Sequence, residues 1–292
     1  MKIQSECVPC LIKRIIFESE QSTNDEEIKT KTLKNALKAL SEFYNPNECS
    51  AVIATKAHKI VYDTLKDDDP FRILKEKSNK IALSLVPKVE TLLNESNDPL
   101  KSSIICSRVA NSMDFGIEGG SEKPEALMES FEKEVNNGLG YDDYSKIKKY
   151  FTKSKNIVFF IDNCGEIVFD KIVCREIKKV NKNLKITLIV KGEPILSDAT
   201  LSDVKQLKFK EVVDEILTTG CFFVGLDYNN ITDNVEKVLN ESDLIICKGM
   251  ANYECFSETK YKPIVYFMRT KCNAIAKSMN LPVNKNVIKL YN

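Results

Sequence analysis

Residues 157–170 read IVFFIDNCGEIVFD. An apolar run, Ile157 to Ile161, stops at Asp162-Asn163, and Gly165-Glu166 lead into an amphipathic run from Ile167 to Val180. That is the pattern of a buried strand feeding a helix through a short polar turn. In a parallel sheet such turns lie at the carboxyl edge of the strands, where ligands bind. Two later segments repeat the arrangement. LIVKGEPILSDAT (188–200) ends a strand in Lys191-Gly192 and delivers Asp198, and DLIICKGMANYE (243–254) ends one in Lys248-Gly249 and delivers Asn252 and Glu254.

Around these three segments the chain alternates strand and helix. Short runs rich in Ile, Val, Leu and Phe predict strands at 157–161, 186–190, 213–217, 243–247, 264–268 and 286–290, with helices near 166–180, 200–208, 232–240 and 271–279. Residues 155–292 therefore read as a Rossmann-like α/β/α domain with a mainly parallel sheet. Residues 1–154 read as mostly helical, with helical stretches at 11–21, 25–44, 58–66, 70–95, 126–137 and 142–154, and with Pro87 marking a kink or boundary. Asn24-Asp25-Glu26 and Asp142-Asp143 are helix starts, since short acceptors and acids favour helix N-termini. The fold class is α/β, a helical N-terminal region packed on the sheet domain.

The bulk composition excludes several classes. A net charge of +1, from 43 basic and 42 acidic side chains, gives no reason to expect a nucleic-acid partner. No stretch approaches a membrane span, and MKIQSECVPC lacks the apolar core of a secretory signal. Ten scattered cysteines without such a signal point to a reducing cytoplasm rather than a disulfide framework. His58 is the only histidine, which excludes a multi-histidine zinc site.

Asp162, Asn163 and Asp198 offer two carboxylates and an amide oxygen, a set that suits Mg²⁺ or Mn²⁺. Gly165 lets backbone approach a ligand, and the following helix N-terminus offers N–H groups to a phosphate. Each feature also has a plainer reading. Asp162-Asn163 and Asp198 could simply cap helices, Glu166 could be a first-turn acid, and Lys191 and Lys248 could be surface lysines. Three successive strand ends pairing Lys-Gly with an acid or amide favour a metal site that handles phosphate. No G-x-G-x-x-G or P-loop motif follows a strand, which disfavours a dinucleotide or P-loop site. The D-x-D of an aspartyl-phosphate enzyme is also missing, so attack by a metal-activated water is preferred. Cys7-Val-Pro-Cys10 has the spacing of a metal or redox pair but no second pair to complete a zinc site, so two buried thiols at the start of a helix are the preferred reading. Arg108, Asn111 and Asp114 stand at helical spacing, either as a solvated helix end or as polar groups over the site. His58 lies in a helical run and reads as a satisfied histidine.

The chain resembles the damage-control phosphatase family. The resemblance rests on Cys7-Val-Pro-Cys10, Asp69-Pro70-Phe71, Asn111 with Asp114-Phe115-Gly116, and Asp162-Asn163-Cys164-Gly165-Glu166. Lys191-Gly192 with Ser197-Asp198-Ala199, Lys248-Gly249 with Ala251-Asn252-Tyr253-Glu254, and Arg269-Thr270-Lys271-Cys272 complete it. It spans almost the whole chain and is closest to the microbial branch with the N-terminal cysteine pair. It implies a metal-dependent phosphatase of small phosphorylated metabolites, with Mn, Mg, Co or Ni as the cation. It implies Asp162, Asn163 and Asp198 as metal ligands, residues 250–254 as a substrate-binding segment, and Lys271 as a phosphate-binding lysine. The eukaryotic members read Arg-Thr-x-Lys where this chain reads Arg-Thr-Lys-Cys, so Lys248 stands as the other candidate. Asn111, Lys191, Asn252 and Arg269 complete the substrate set, and Asp162, Glu166 and Glu254 are the candidate catalytic acids. Two other classes fit less of the sequence: an S-adenosylmethionine-dependent carboxyl methyltransferase, and a thiol sensor built on Cys7 and Cys10.

Overall fold

In the computed structural model, which describes residues 1–110 and 131–292, five helices open the chain. They are α1 (Cys7–Ser22), α2 (Glu26–Phe43), α3 (Ser50–Leu65), α4 (Arg72–Glu95) and α5 (Pro99–Ala110). Asp25 caps α2 as expected, its Oδ1 accepting from the N–H groups of Glu27 and Ile28. The stretch expected at 58–66 belongs to a longer helix, whose stripe Ala51, Ala54, Ala57 and Val61 is buried. Helix α4 continues through Pro87 instead of ending there. Proline cannot donate to the carbonyl of Leu83, and Leu83 is exposed, so water can take that place. Helix α5 was not expected. Its signal is Asp98-Pro99, a capping acid before a first-turn proline, and Asp98 Oδ1 does accept from Lys101 N–H. Of the expected helix at 126–137, residues 131–136 are helical and Asn137 is in the turn that follows; residues 126–130 lie outside the described residues.

The remaining elements are β1 (Tyr141–Asp142), α6 (Tyr144–Lys153), β2 (Asn156–Phe160), α7 (Ile167–Val180), β3 (Lys185–Val190), α8 (Leu201–Gln206), β4 (Glu215–Thr218), α9 (Asp233–Glu241), β5 (Leu244–Lys248), α10 (Gly249–Phe256), β6 (Ile264–Arg269), α11 (Asn273–Met279) and β7 (Asn286–Tyr291). Seven strands form one sheet in the order β1-β7-β6-β5-β2-β3-β4. All neighbours are parallel except β6 and β7. This is the mainly parallel α/β architecture, with the helical N-terminal region packed on it. The sheet already begins at Tyr141, before residue 155.

Alternate residues of each strand feed opposite layers, as a doubly covered sheet requires. Ile157, Phe159, Leu188, Ile246 and Phe267 pack with Ile147 and Phe151 of α6 and Val173 and Ile177 of α7. Val158, Phe160, Ile245, Cys247 and Tyr266 pack with Val235 of α9, Phe256 of α10 and Ile275 of α11. Helices α4 and α5 pack on α7, and α3 reaches the other layer through Ala51 and Ala54. The order reverses at β2: the chain moves outward to β3 and β4, then returns to β5 on the other side of β2. Such a reversal opens a crevice at the carboxyl ends of the two central strands. No helix among the described residues is long and apolar enough to cross a membrane.

Candidate active site

The turns after β2 and β3 are tied together by backbone. Ala199 N–H donates to the Asp162 carbonyl at 2.8 Å, Cys164 N–H donates to the Ser197 carbonyl at 2.8 Å, and Asn163 and Asp198 form an antiparallel bridge. These bonds bring Asp162, Asn163 and Asp198 to one place at the reversal. Asp162 is 7% exposed and Asp198 4%. Asn163 Nδ2 donates to Asp162 Oδ2 at 2.7 Å, and its Oδ1 accepts from Ser197 Oγ at 2.6 Å. From the other side of the reversal Gly249, at φ +74°, presses against Asp162: a Cβ there would lie 1.8 Å from Asp162 Oδ2.

The capping alternatives do not hold. Helix α7 begins at Glu166 without a side-chain cap. Helix α8 is capped by Thr200, in a capping box with Asp203. Asp162, Asn163 and Asp198 are therefore not engaged in ending helices. Buried acids that cap nothing need counter-charges, and Asp198 has one in Lys191, 3.3 Å from its Oδ2.

The turn's N–H groups are not open to an anion, against the expectation from sequence. Gly165 N–H is taken by Asn79 Oδ1 at 2.7 Å, and Cys164 N–H by Ser197. Asn163 N–H reaches Glu166 Oε1 at 3.4 Å, and the N–H groups of Ile167, Val168 and Phe169 bond turn carbonyls. The turn folds so tightly on the next loop and on α4 that the N–H groups of Cys164, Gly165 and Ile167 to Phe169 are consumed.

Lys248 is fully buried, and its ammonium spends its protons internally. Nζ donates to Asp170 Oδ1 at 2.7 Å, to Ser107 Oγ at 2.6 Å and to the Ser107 carbonyl at 3.2 Å, with Glu166 Oε1 3.6 Å away. Burial pulls its pKa down, but Asp170 and Glu166 more than offset that and hold it above the ordinary lysine value. An ammonium has three donors, so Lys248 has none left for a phosphate. It fastens α5 and α7 to the end of β5. Lys191 is likewise engaged, donating to the Gly225 carbonyl at 2.7 Å and lying 3.3 Å from Asp198 Oδ2. Lys248→Met should lower stability by about 3–5 kcal/mol, the usual cost of stranding a buried partner charge. Adding Asp170→Leu should recover much of it. Urea melts of the single and double variants decide this, and a single variant as stable as wild type would contradict the buried pair.

Lys271 and Arg269 stand at the mouth. Lys271 is exposed along its side chain, yet the protein around its ammonium lowers its pKa, against the pull of Glu166 and Asp162. Arg269 is half-buried, with Nη1 3.7 Å from Glu134 Oε2, and the Thr270 hydroxyl is anchored on the Pro282 carbonyl. Asn252 Nδ2 donates to the Lys248 carbonyl at 2.8 Å, and its Oδ1 is buried without a partner. Among the described residues no cluster of three or more His, Cys, Asp or Glu is arranged to hold a metal. The donor set here is instead two carboxylates and amide oxygens. The Asn163 amide oxygen keeps a second lone pair, and Asn252 Oδ1 is an orphaned acceptor beside the same strand ends. Hard oxygen donors of this kind, completed by water, fit Mg²⁺ or Mn²⁺.

Glu254 does not join these acids. Its carboxylate accepts from Ser50 Oγ, and its carbonyl accepts from the Met1 amine and from Cys49 Sγ at 3.7 Å. Residues 249–256 are helical, so Asn252 and Glu254 lie about 200° apart around the axis. Burial pushes Glu254 up to about 7, against the Ser50 hydrogen bond. A carboxyl whose folded pKa is raised stabilises the fold below its unfolded pKa and loses that contribution as pH rises to about 7. Glu254→Gln should therefore gain stability relative to wild type between pH 4.5 and 7, with the gap constant above. Calorimetric melts across that range test this, and a flat difference would contradict it. Against the reading of two buried thiols, Cys7 is only half-buried and Cys10 is exposed at the start of α1; both are free thiols. His58 is buried on Glu18 at 2.9 Å, a satisfied core pair. Asn111 lies outside the described residues.

Several site residues escaped sequence reading. Asp170 had a visible signal: it is an acid on the apolar stripe Ile167, Val173, Cys174, Ile177 of α7, all buried with it. Asn79 is a similar polar intrusion on α4. Ser107 carried no signal, and Ser197 stood only within the Ser197-Asp198-Ala199 match.

The whole chain has relatives. The family model of the damage-control phosphatase ARMT1-like domain matches residues 3–287. A damage-control phosphatase of Archaeoglobus fulgidus is 35% identical over 290 residues, covering 99% of each chain. A damage-control phosphatase of Pyrococcus horikoshii is 28% identical over 282 residues, covering 97% of this chain and 96% of that one. The crystal structure of a DUF89-family protein from Pyrococcus horikoshii superposes with a TM-score of 0.92 over 100% of both chains, at 27% identity.

Proposed function

This chain belongs to the damage-control phosphatase ARMT1-like family, and from that premise we propose that it is a divalent-metal-dependent hydrolase of small phosphomonoesters, such as sugar phosphates or damaged phosphometabolites. The observation that carries the reading is the backbone tie between the β2 and β3 turns, which gathers Asp162, Asn163 and Asp198 at the sheet's reversal. In this reading those three side chains hold the metal. Once bound, the ion supplies Lewis acidity to the phosphoryl oxygens. Lys191 fixes Asp198 from behind, and Lys271 and Arg269 draw the phosphate in at the mouth. With Glu254 turned to the N-terminal helices, Glu166 is the carboxylate that orients the attacking water and takes its proton. Water adds to phosphorus, the ester P–O bond breaks, and the leaving alkoxide is protonated to the alcohol.

The test is a panel of aryl and sugar phosphates on the full chain, treated with EDTA and then given Mn²⁺, Co²⁺, Ni²⁺ or Mg²⁺. Hydrolysis should vanish with the chelator and return with at least one ion. Turnover indifferent to chelation would remove the metal from the reading, and no turnover with any ion would remove the phosphatase.

A further inference from the structure

One buried cation of the site makes no hydrogen bond among the described residues. Arg108, near the end of α5, is fully buried, and its Nε, Nη1 and Nη2 have no hydrogen-bond partner among the described residues. A guanidinium carries five donors in a planar fork. Burying it with none of them filled costs several kcal/mol unless something fills them. Burial lowers its pKa to about 9, with Arg269 adding to the fall and Glu134 and Glu166 opposing it. It therefore remains charged at neutral pH. Those neighbours place it in the site: Glu166 lies 3.6 Å from Lys248 and Glu134 3.7 Å from Arg269.

Arg108 is also held firmly. Ser107, the residue before it, gives both its carbonyl and its hydroxyl to Lys248 Nζ, and its hydroxyl also bonds Asp170. The protons of Lys248 and the N–H groups of the Asp162 turn are spent internally, and Lys191 is engaged with Gly225 and Asp198. Arg108, by contrast, has donors to spare among the described residues.

We propose that Arg108 is the buried oxyanion receptor of the site, its fork taking two oxygens of the phosphoryl group in substrate and of the phosphate product. Planar bidentate recognition of phosphate is what the guanidinium does best. The inference rests on the phosphatase reading for its substrate, while its test reads binding of inorganic phosphate.

The experiment uses the full chain with and without inorganic phosphate, comparing wild type, Arg108→Met and Arg108→Lys. Calorimetry gives phosphate affinity, and thermal melts give stability in phosphate-free buffer. Arg108→Met should weaken phosphate binding by at least about tenfold, 1.4 kcal/mol. In phosphate-free buffer it should melt at or above the wild-type temperature, since it removes an unpaired buried charge. Arg108→Lys, the fallback if the methionine variant does not fold, keeps the charge but loses the fork and should also weaken phosphate binding. A purely structural arginine would show the reverse: a lower melting temperature and unchanged phosphate affinity. Unchanged affinity in either folded variant overturns the proposal. If wild type binds phosphate through Arg108 yet hydrolyses no ester, the phosphatase reading fails and the receptor stands. If it hydrolyses esters while the variants bind phosphate normally, only the receptor fails.

Discussion

Asp162→Ala should lower kcat for an aryl phosphate by at least about 10³-fold, the scale on which a key electrostatic group acts. The fold should survive. What Asp162 gives the fold is its backbone carbonyl, which accepts from Ala199 N–H, and alanine keeps that. What it gives the site is a carboxylate that caps no helix and is nearly buried, bonded through Oδ2 to Asn163. Removing it leaves the Asn163 amide one acceptor short, in a place where Ser197 still holds the other end. Circular dichroism and a thermal melt should therefore match wild type closely, with the loss confined to turnover. A folded, metal-replete variant within tenfold of wild type would take Asp162 out of the chemistry.

Gly249→Ala is the second large effect, and it acts on the same carboxylate from across the reversal. A methyl there would lie 1.8 Å from Oδ2 and 2.4 Å from Cγ of Asp162, in a backbone conformation at φ +74°. The left-handed conformation alone costs a non-glycine residue about 1–2 kcal/mol. The overlap leaves the carboxylate nowhere to stay, and a displacement of about 1 Å in a reacting group costs on the order of 10²-fold in rate. Both a lower melting temperature and a rate loss of that size are expected. The double variant Gly249→Ala/Asp162→Ala separates the causes. Its activity should equal that of Asp162→Ala, since one group is lost either way. Its stability should recover part of the glycine penalty, because the overlap is gone and only the backbone cost remains. Additive rate losses would show that Gly249 acts through something other than Asp162.

The fold was legible because its strands are short apolar runs ending in polar turns, and six such runs are strands within two residues of where they were expected. The acids were legible for the same reason: in a parallel sheet the residue after the strand is at the ligand edge. Their partners were not. Lys248 meets Ser107 and Asp170 across 141 and 78 residues of chain, and no local periodicity encodes such a meeting. The contact of Glu254 with Ser50 was hidden for a different reason. The segment after Lys248 passes from strand to helix at once, with a positive-φ glycine and no cap to announce it. Read as a loop, residues 252 and 254 can face one site; wound as a helix, they face opposite ways.

The Ser107 clasp on Lys248 also bears on how this molecule tolerates rearrangement. The lysine belongs to the sheet and the serine to the helices before it, so an excised 155–292 fragment would keep Asp170 but lose both Ser107 acceptors of the Lys248 ammonium, and Arg108 with them. Swapping in the helical half of a distant cousin would meet the same obstacle unless the three side chains travelled together. A change at Ser107 therefore acts on the sheet, and a change at Lys248 acts on the helices before it.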